Sequence, residues 1–253
     1  MEGKQYSSLA GVYDSLNADF DYSAYARYLD NEIRKNEGVR SSLVLDLACG
    51  TGKMTFALRE LGYDMTGVDI SDDMLAEARE QCIDKNITDI LWLCQSMQEF
   101  ELYGTVDACV CCLDSINYLL KYEDVKRCFS LVHNYLIPDG VFVFDINTPY
   151  KFEYTYGDNA YVLEDESSLL AWQNEYNKRT GICKFYLSIF KKNESGSYDR
   201  FDEIQKEKCY SVKRILRALT DCGFEIIKVC GSFDSSELND DDERCYITAR
   251  AKK

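Results

Sequence analysis

The sequence predicts an α/β fold in which a doubly wound, mostly parallel sheet carries an inserted antiparallel β segment. Three observations predict it. Short apolar runs alternate with helix-spaced segments from residue 43 to residue 146. A Gly-rich turn, Cys49-Gly50-Thr51-Gly52, separates the first apolar run from a helical stretch. Helix spacing then disappears over residues 160–210, where turn signals divide long apolar-polar runs.

The first 40 residues read as helical, with Tyr22, Tyr25, Ala26, Leu29 and Ile33 on one apolar face. Leu43 to Leu47 reads as a buried parallel strand and residues 52–61 as a helix. A strand from Met65 to Asp69 precedes a helix from Ser71 to about Lys85. Ser71 is a plausible N-cap, with Asp72 and Asp73 complementing the helix dipole. Strands follow at Ile90–Leu93 and Val106–Cys112, then a helix from Glu123 to Tyr135. Pro138-Asp139-Gly140 closes that helix before a fifth strand, Val141–Ile146. Three or four antiparallel strands are expected between residues 160 and 210, separated by turn signals such as Arg179-Thr180-Gly181. A helix at Ser211–Cys222 and strands at Phe224–Cys230 and Arg244–Ala251 complete the chain. Residues 1–149 and 211–253 therefore form a core, and residues 150–210 an inserted antiparallel lid.

Composition narrows the function. The formal net charge is −15, and each dense basic spot, such as Lys213-Arg214, has carboxylates nearby. That field repels a polyanion and argues against nucleic acid as partner. The start, Met1 to Tyr6, is polar, and no apolar run nears membrane-spanning length, so the expectation is a cytoplasmic protein that does not enter a membrane. There are 12 Cys, several inside apolar runs and none in a C-x-x-C pair. They read as reduced core thiols rather than as disulfides or a metal site. His133, the only histidine, falls in the helix before Pro138, away from the strand ends where such sheets bind ligands, and reads as structural.

The strongest local signal is the strand that delivers Asp46 into Leu47-Ala48-Cys49-Gly50-Thr51-Gly52. The glycines let a ligand approach the backbone closely. A dinucleotide fingerprint needs a third Gly, but Thr55 stands there, and no phosphate-binding G-x-x-x-x-G-K-[ST] run is present. An acidic residue before the loop suits a cationic ligand better than a pyrophosphate. The second signal is Gly67-Val68-Asp69-Ile70-Ser71. A carboxylate at the end of the second strand can accept hydrogen bonds from both hydroxyls of a ribose, with Ile70 and Met74 as walls for adenine.

Together with Pro138-Asp139-Gly140 before the fifth strand, these residues resemble class I S-adenosylmethionine-dependent methyltransferases over nearly the whole chain. The arrangement is similar to small bacterial methyltransferases with a β-strand lid, including amino-sugar N-methyltransferases and glycine N-methyltransferase. The resemblance implies a Rossmann-like seven-stranded sheet of order 3-2-1-4-5-7-6, with the last strand antiparallel. It implies S-adenosyl-L-methionine as cofactor and a small-molecule substrate. Ala48, Cys49, Gly50 and Gly52 would line its methionine end, with Asp46 ordering the loop, and Asp69 would hold the ribose. Ser96-Met97 falls where relatives usually carry Asp-Met to cap adenine, and a hydroxyl is a weaker partner than a carboxylate. Cys112 and Leu113 would lie beside the sulfonium, Cys112 as a small wall residue. Tyr13 would reach over the active site from the N-terminal segment.

Methyl transfer from a sulfonium is an in-line displacement with an activated leaving group. Positioning the nucleophile supplies roughly 7–11 kcal/mol in favourable cases. An amine needs little beyond that and a route for its proton, so an amine nitrogen is the expected acceptor. Catalytic candidates are Tyr13, Asn117 and Tyr118, from Asp114–Tyr118, and Glu203 in the lid. Period two places Glu203, Gln205 and Glu207 on one strand face, with a solvent-facing edge as the alternative. Relatives often carry a His near Gln205, and its absence leaves the base unassigned. Nucleobase methyltransferases carry Pro-Pro-aromatic after the fourth strand. Leu113 to Tyr118 contains no proline. The competing readings are methylation of protein or RNA, and a binding module that holds the cofactor without catalysis. The chain is read as a monomer or homodimer.

Overall fold

The computed structural model describes residues 20–35, 42–165, 167–193 and 195–253. After helix α1 (Tyr22–Lys35) come five mutually parallel strands: β1 (Leu43–Leu47), β2 (Asp64–Asp69), β3 (Leu91–Cys94), β4 (Val106–Cys111) and β5 (Leu136–Asn147). Helices α2 (Lys53–Glu60), α3 (Asp72–Asp84) and α4 (Tyr122–Tyr135) alternate with them. Four further strands follow: β6 (Ala160–Glu164), β7 (Ser168–Asn177), β8 (Ile182–Lys192) and β9 (Tyr198–Lys208). Helix α5 (Val212–Asp221) and strands β10 (Phe224–Cys230) and β11 (Arg244–Ala251) complete the fold.

The main sheet has the order β10-β11-β5-β4-β1-β2-β3, with β11 antiparallel to both neighbours. This is the expected 3-2-1-4-5-7-6 order. Its central strands are buried on both faces, and period two sorts their side chains between two cores. Val44, Ala108, Val110, Val141 and Val143 pack against α1 and α2 through Leu29, Ile33, Met54 and Leu58. Leu45, Cys109, Cys111, Phe142 and Phe144 pack against α4 and α5 through Phe129, Val132, Ile215 and Leu219. The neighbours of β1 are β2 on one side and β4 on the other, so the chain winds outward in both directions from there. Crevices open at such a switch point, beyond the carboxyl ends of the strands.

Strands β6 to β9 form a separate antiparallel sheet in chain order. Its inner face, with Leu170, Phe185, Leu187 and Ile189, closes a third core over Phe152 and Tyr156. Those two belong to a single π-helical turn, Lys151–Tyr156, that carries the chain out of β5.

Two local expectations change. The fifth strand begins at Leu136 rather than Val141. Leu136 pairs with Val106, and after a shift in register Val141 pairs with Ala108. Pro138-Asp139-Gly140 is thus a bulge within β5, where Asp139 adopts a φ of 61°. The third strand lies one residue later than its apolar run suggested. Ser71 caps α3 as expected, accepting from the Met74 amide at 3.3 Å. His133 packs edge-on to Phe224 and meets the Lys252 carbonyl at 3.1 Å. All twelve cysteines are free thiols.

Candidate active site

A cavity of about 410 Å³ lies at the switch point, with its floor in the loops after β1, β2, β3 and β4 and its roof in the second sheet. The floor starts from Asp46, almost fully buried at the end of β1. The loop beyond it turns through left-handed conformations at Ala48 (φ 61°), Gly50 (φ 56°) and Gly52 (φ 81°). Gly50 has open space where a side chain would stand, so its backbone faces the cavity. Gly52 has a different reason. A Cβ there would lie 2.5 Å from the Trp92 ring, and one at Gly67 would lie equally close. Gly52 therefore does not line the cavity as expected. It and Gly67 make room for Trp92, an indole wedged beneath the loop that no sequence pattern singled out.

Asp69 ties this loop to the end of β2. One carboxylate oxygen accepts the Gly50 amide and the other the Ser71 amide, both at 2.8 Å. Burial raises its pKa, and the backbone amides oppose that rise. Asp46 accepts the Thr55 hydroxyl at 2.5 Å. Burial pushes it up to about 7, against the Thr55 bond and with a further push from Asp69. Among the described residues neither carboxylate forms an ion pair. Two buried acids without a counterion, beside open backbone at Gly50, fit a ligand with an ammonium, a sulfonium and ribose hydroxyls. S-adenosylmethionine presents those groups. Ile70, Met74, Ser96 and Met97 line the next stretch of the cavity, and the Ser96 hydroxyl accepts the Gln98 amide at 3.3 Å.

Cys112 and Leu113 also line the cavity. Cys49 and Cys112 are buried, which raises both thiols well above their usual range and keeps them inert. Leu113 and Asp114 both sit in the left-handed region at φ 56°. Two such residues in succession cost on the order of 1–3 kcal/mol each. Asp145 holds them there, accepting both their amides at 2.8 Å, the Tyr25 hydroxyl at 2.5 Å and the Arg244 guanidinium. Arg244 also pairs with Asp114 at 2.8 Å. Sequence reasoning missed this hub. Its one signal was a charged residue inside the apolar run of β5.

Around the hub lies a polar cluster. Lys151 donates to Asn147 Oδ1 at 3.1 Å, and its pKa is lowered by burial and by Arg244. Glu207, near the end of β9, accepts from Asn147 Nδ2 at 3.0 Å. Burial, then Asp114, raises its carboxyl well above the usual range. Tyr118 donates to Gln205 Oε1 at 3.0 Å, and Gln205 donates to Glu203 at 3.0 Å.

The named catalytic candidates divide accordingly. Tyr118 lines the cavity. Asn117 does not. It is fully buried, donates to the Lys208 carbonyl at 2.9 Å and accepts the Asn147 amide at 3.0 Å, so it clamps β9 to β5. Glu203 is also outside the lining and orients Gln205 from behind, while Gln205 and Glu207 on the same strand face do reach the cavity. Tyr13 lies outside the described residues. Phe20 and Tyr22 line the cavity. Among the described residues no helix is long and apolar enough to cross a membrane.

Known proteins carry the same architecture. A family profile described as a methyltransferase domain matches residues 44–140. The chain is 31% identical over 249 residues to YqeM of Bacillus subtilis (strain 168), covering 98% of each protein. It is 32% identical over 152 residues to a dTDP-3-amino-3,4,6-trideoxy-alpha-D-glucopyranose N,N-dimethyltransferase of Streptomyces venezuelae, covering 59% of this chain and 60% of that relative. The crystal structure of an S-adenosylmethionine-dependent methyltransferase from Clostridium acetobutylicum ATCC 824 superposes with a TM-score of 0.88 at 28% identity. That match covers 98% of this chain and 99% of the other. Fold, crevice and relatives agree: the chain belongs to the class I S-adenosylmethionine-dependent methyltransferases, with S-adenosylmethionine as its cofactor.

Proposed function

We propose that the enzyme methylates an amine nitrogen of a small molecule. The observation that carries this reading is Glu207, a buried carboxyl raised well above its usual range where the second sheet meets the loop after β4. A carboxyl on the cavity wall beside Asn147 is placed to take a proton from an amine, and its raised pKa makes its ionised form a stronger base than an ordinary carboxylate. The N,N-dimethyltransferase among the relatives supports it.

S-adenosylmethionine, when bound, supplies an electrophilic methyl group on a sulfonium. In this reading Asp69 takes the ribose hydroxyls, Asp46 and the Gly50 backbone receive the amino-acid end, and Ser96 and Met97 border the adenine. The Asp145 hub fixes Leu113 and Asp114, so the wall beside the reacting atoms does not shift as charge changes. Glu207 accepts the proton that the amine loses once its own carboxyl is ionised, and the second sheet covers the site from water.

The test is methyl transfer from labelled cofactor to a panel of amines and matched alcohols. Turnover is expected on amines, and Glu207→Gln should lower kcat by about 10²–10⁴-fold while altering its pH profile. Turnover on alcohols alone, or an unchanged Glu207→Gln enzyme, would overturn the reading.

A further inference from the structure

The inner face of the second sheet is apolar where it meets the cavity. The strand register places Leu163 opposite Leu170, and Trp172 opposite Leu187. These four and Phe185 all line the cavity, with Tyr156 rising from the π-helical turn beneath them. The Trp172 indole N–H donates to Asn174, so its ring meets the cavity as hydrocarbon surface. Tyr156, Trp172 and Phe185 form a mutual cluster with ring centroids 5.0 to 6.0 Å apart. The groups proposed above to hold the cofactor all lie on the main-sheet loops, so this wall is left for the acceptor.

Charge decides what kind of acceptor. Of the charged residues lining the cavity, four are carboxylates and three are cations. Two of those cations, Lys151 and Arg244, sit among Asp114, Asp145 and Glu207. A diphosphate needs cations in excess to replace its hydration, and the two cations at this end of the cavity, Lys151 and Arg244, already face Asp114 and Asp145. The whole cavity also stands near the lower end of the roughly 300–1,000 Å³ usual for ligand pockets, yet it must hold two molecules.

We infer that the acceptor is a small amine on an apolar body, alkyl or aromatic, without phosphate groups: the amine lies against Glu207 and the body against Trp172, Leu163 and Leu187. The assignment rests on the amine reading above but concerns a different wall.

The experiment is calorimetry on the enzyme saturated with S-adenosylhomocysteine. Unbranched primary amines from ethylamine to octylamine are titrated, then 2-phenylethylamine, 2-phenylethanol and thymidine diphosphate. Affinity is expected to rise roughly three- to fourfold per methylene until the wall is covered. 2-Phenylethylamine should bind at least tenfold more tightly than ethylamine, with thymidine diphosphate weakest. Trp172→Ala should flatten the series. Should that variant fail to fold, Leu163→Ser, at a position 40% exposed, tests the same wall with little burden on the core. A flat series, absence of binding by every amine, or preference for thymidine diphosphate overturns the inference. If 2-phenylethanol binds as tightly as 2-phenylethylamine while the series still climbs, the apolar wall stands and the amine reading falls.

Discussion

The two ends of the cavity are built by different means. The end proposed for the cofactor is made from strand ends and the turns that follow them: Asp46 beside its own loop, and Asp69 bonded to Gly50 and Ser71. The end proposed for the acceptor is assembled across long stretches of chain. Asp145 meets Arg244 ninety-nine residues later, and Glu207 meets Asn147 across sixty. The first design tolerates change in the rest of the chain, because each contact is nearly local. The second makes the pocket depend on how the inserted sheet docks, so its chemistry can vary while the cofactor end stays the same.

The largest effect on that comparison is expected at the Asp145 hub. Asp145→Asn removes one of the two carboxylates paired with the enclosed Arg244 guanidinium, leaving only Asp114, and weakens the hold on Leu113 and Asp114. Removing one partner of a buried pair costs about 3–5 kcal/mol. Urea denaturation should register a loss of that order. A loss below about 1 kcal/mol would mean that the hub is not what joins the two ends.

Asp46→Asn is expected to act more gently and with the opposite sign in the cofactor-free protein. The folded-state value of about 7 lies above the usual 3.8, so the fold disfavours the ionised form. The stability tied to this group is complete below pH 4 and is lost as pH rises through 7. The variant removes that decline. At pH 8 it should be more stable than the parent by on the order of 2–4 kcal/mol, with no advantage near pH 4. Denaturation curves at the two pH values check this, and a gain independent of pH would contradict it.

The same contrast explains what the sequence revealed. The alternation of strands and helices, the sheet order and the Gly-rich loop were legible because they depend on local period and on turn residues. Asp69 was legible as a carboxylate beside the Gly-rich loop because its place follows from where β2 ends. Gly52 was recognised as necessary but for the wrong reason, since the indole that fills its space comes from Trp92, forty residues on. The start of β5 was hidden because Pro138 reads as a stop, whereas the strand passes it as a bulge. Asn117 and Glu203 carried suitable chemistry, but which way they turn depends on how β9 docks against β5. Asp145, Arg244 and Lys151 share no spacing at all, and only tertiary contact assembles them.

The division between the two ends is tested most directly by one paired titration of S-adenosylhomocysteine into Asp69→Ala and Glu207→Gln, each beside the parent enzyme. Asp69→Ala should lose at least a hundredfold in affinity, about 2.7 kcal/mol, while Glu207→Gln binds within about threefold of the parent. Equal losses in the two variants, or a larger loss in Glu207→Gln, would contradict the account.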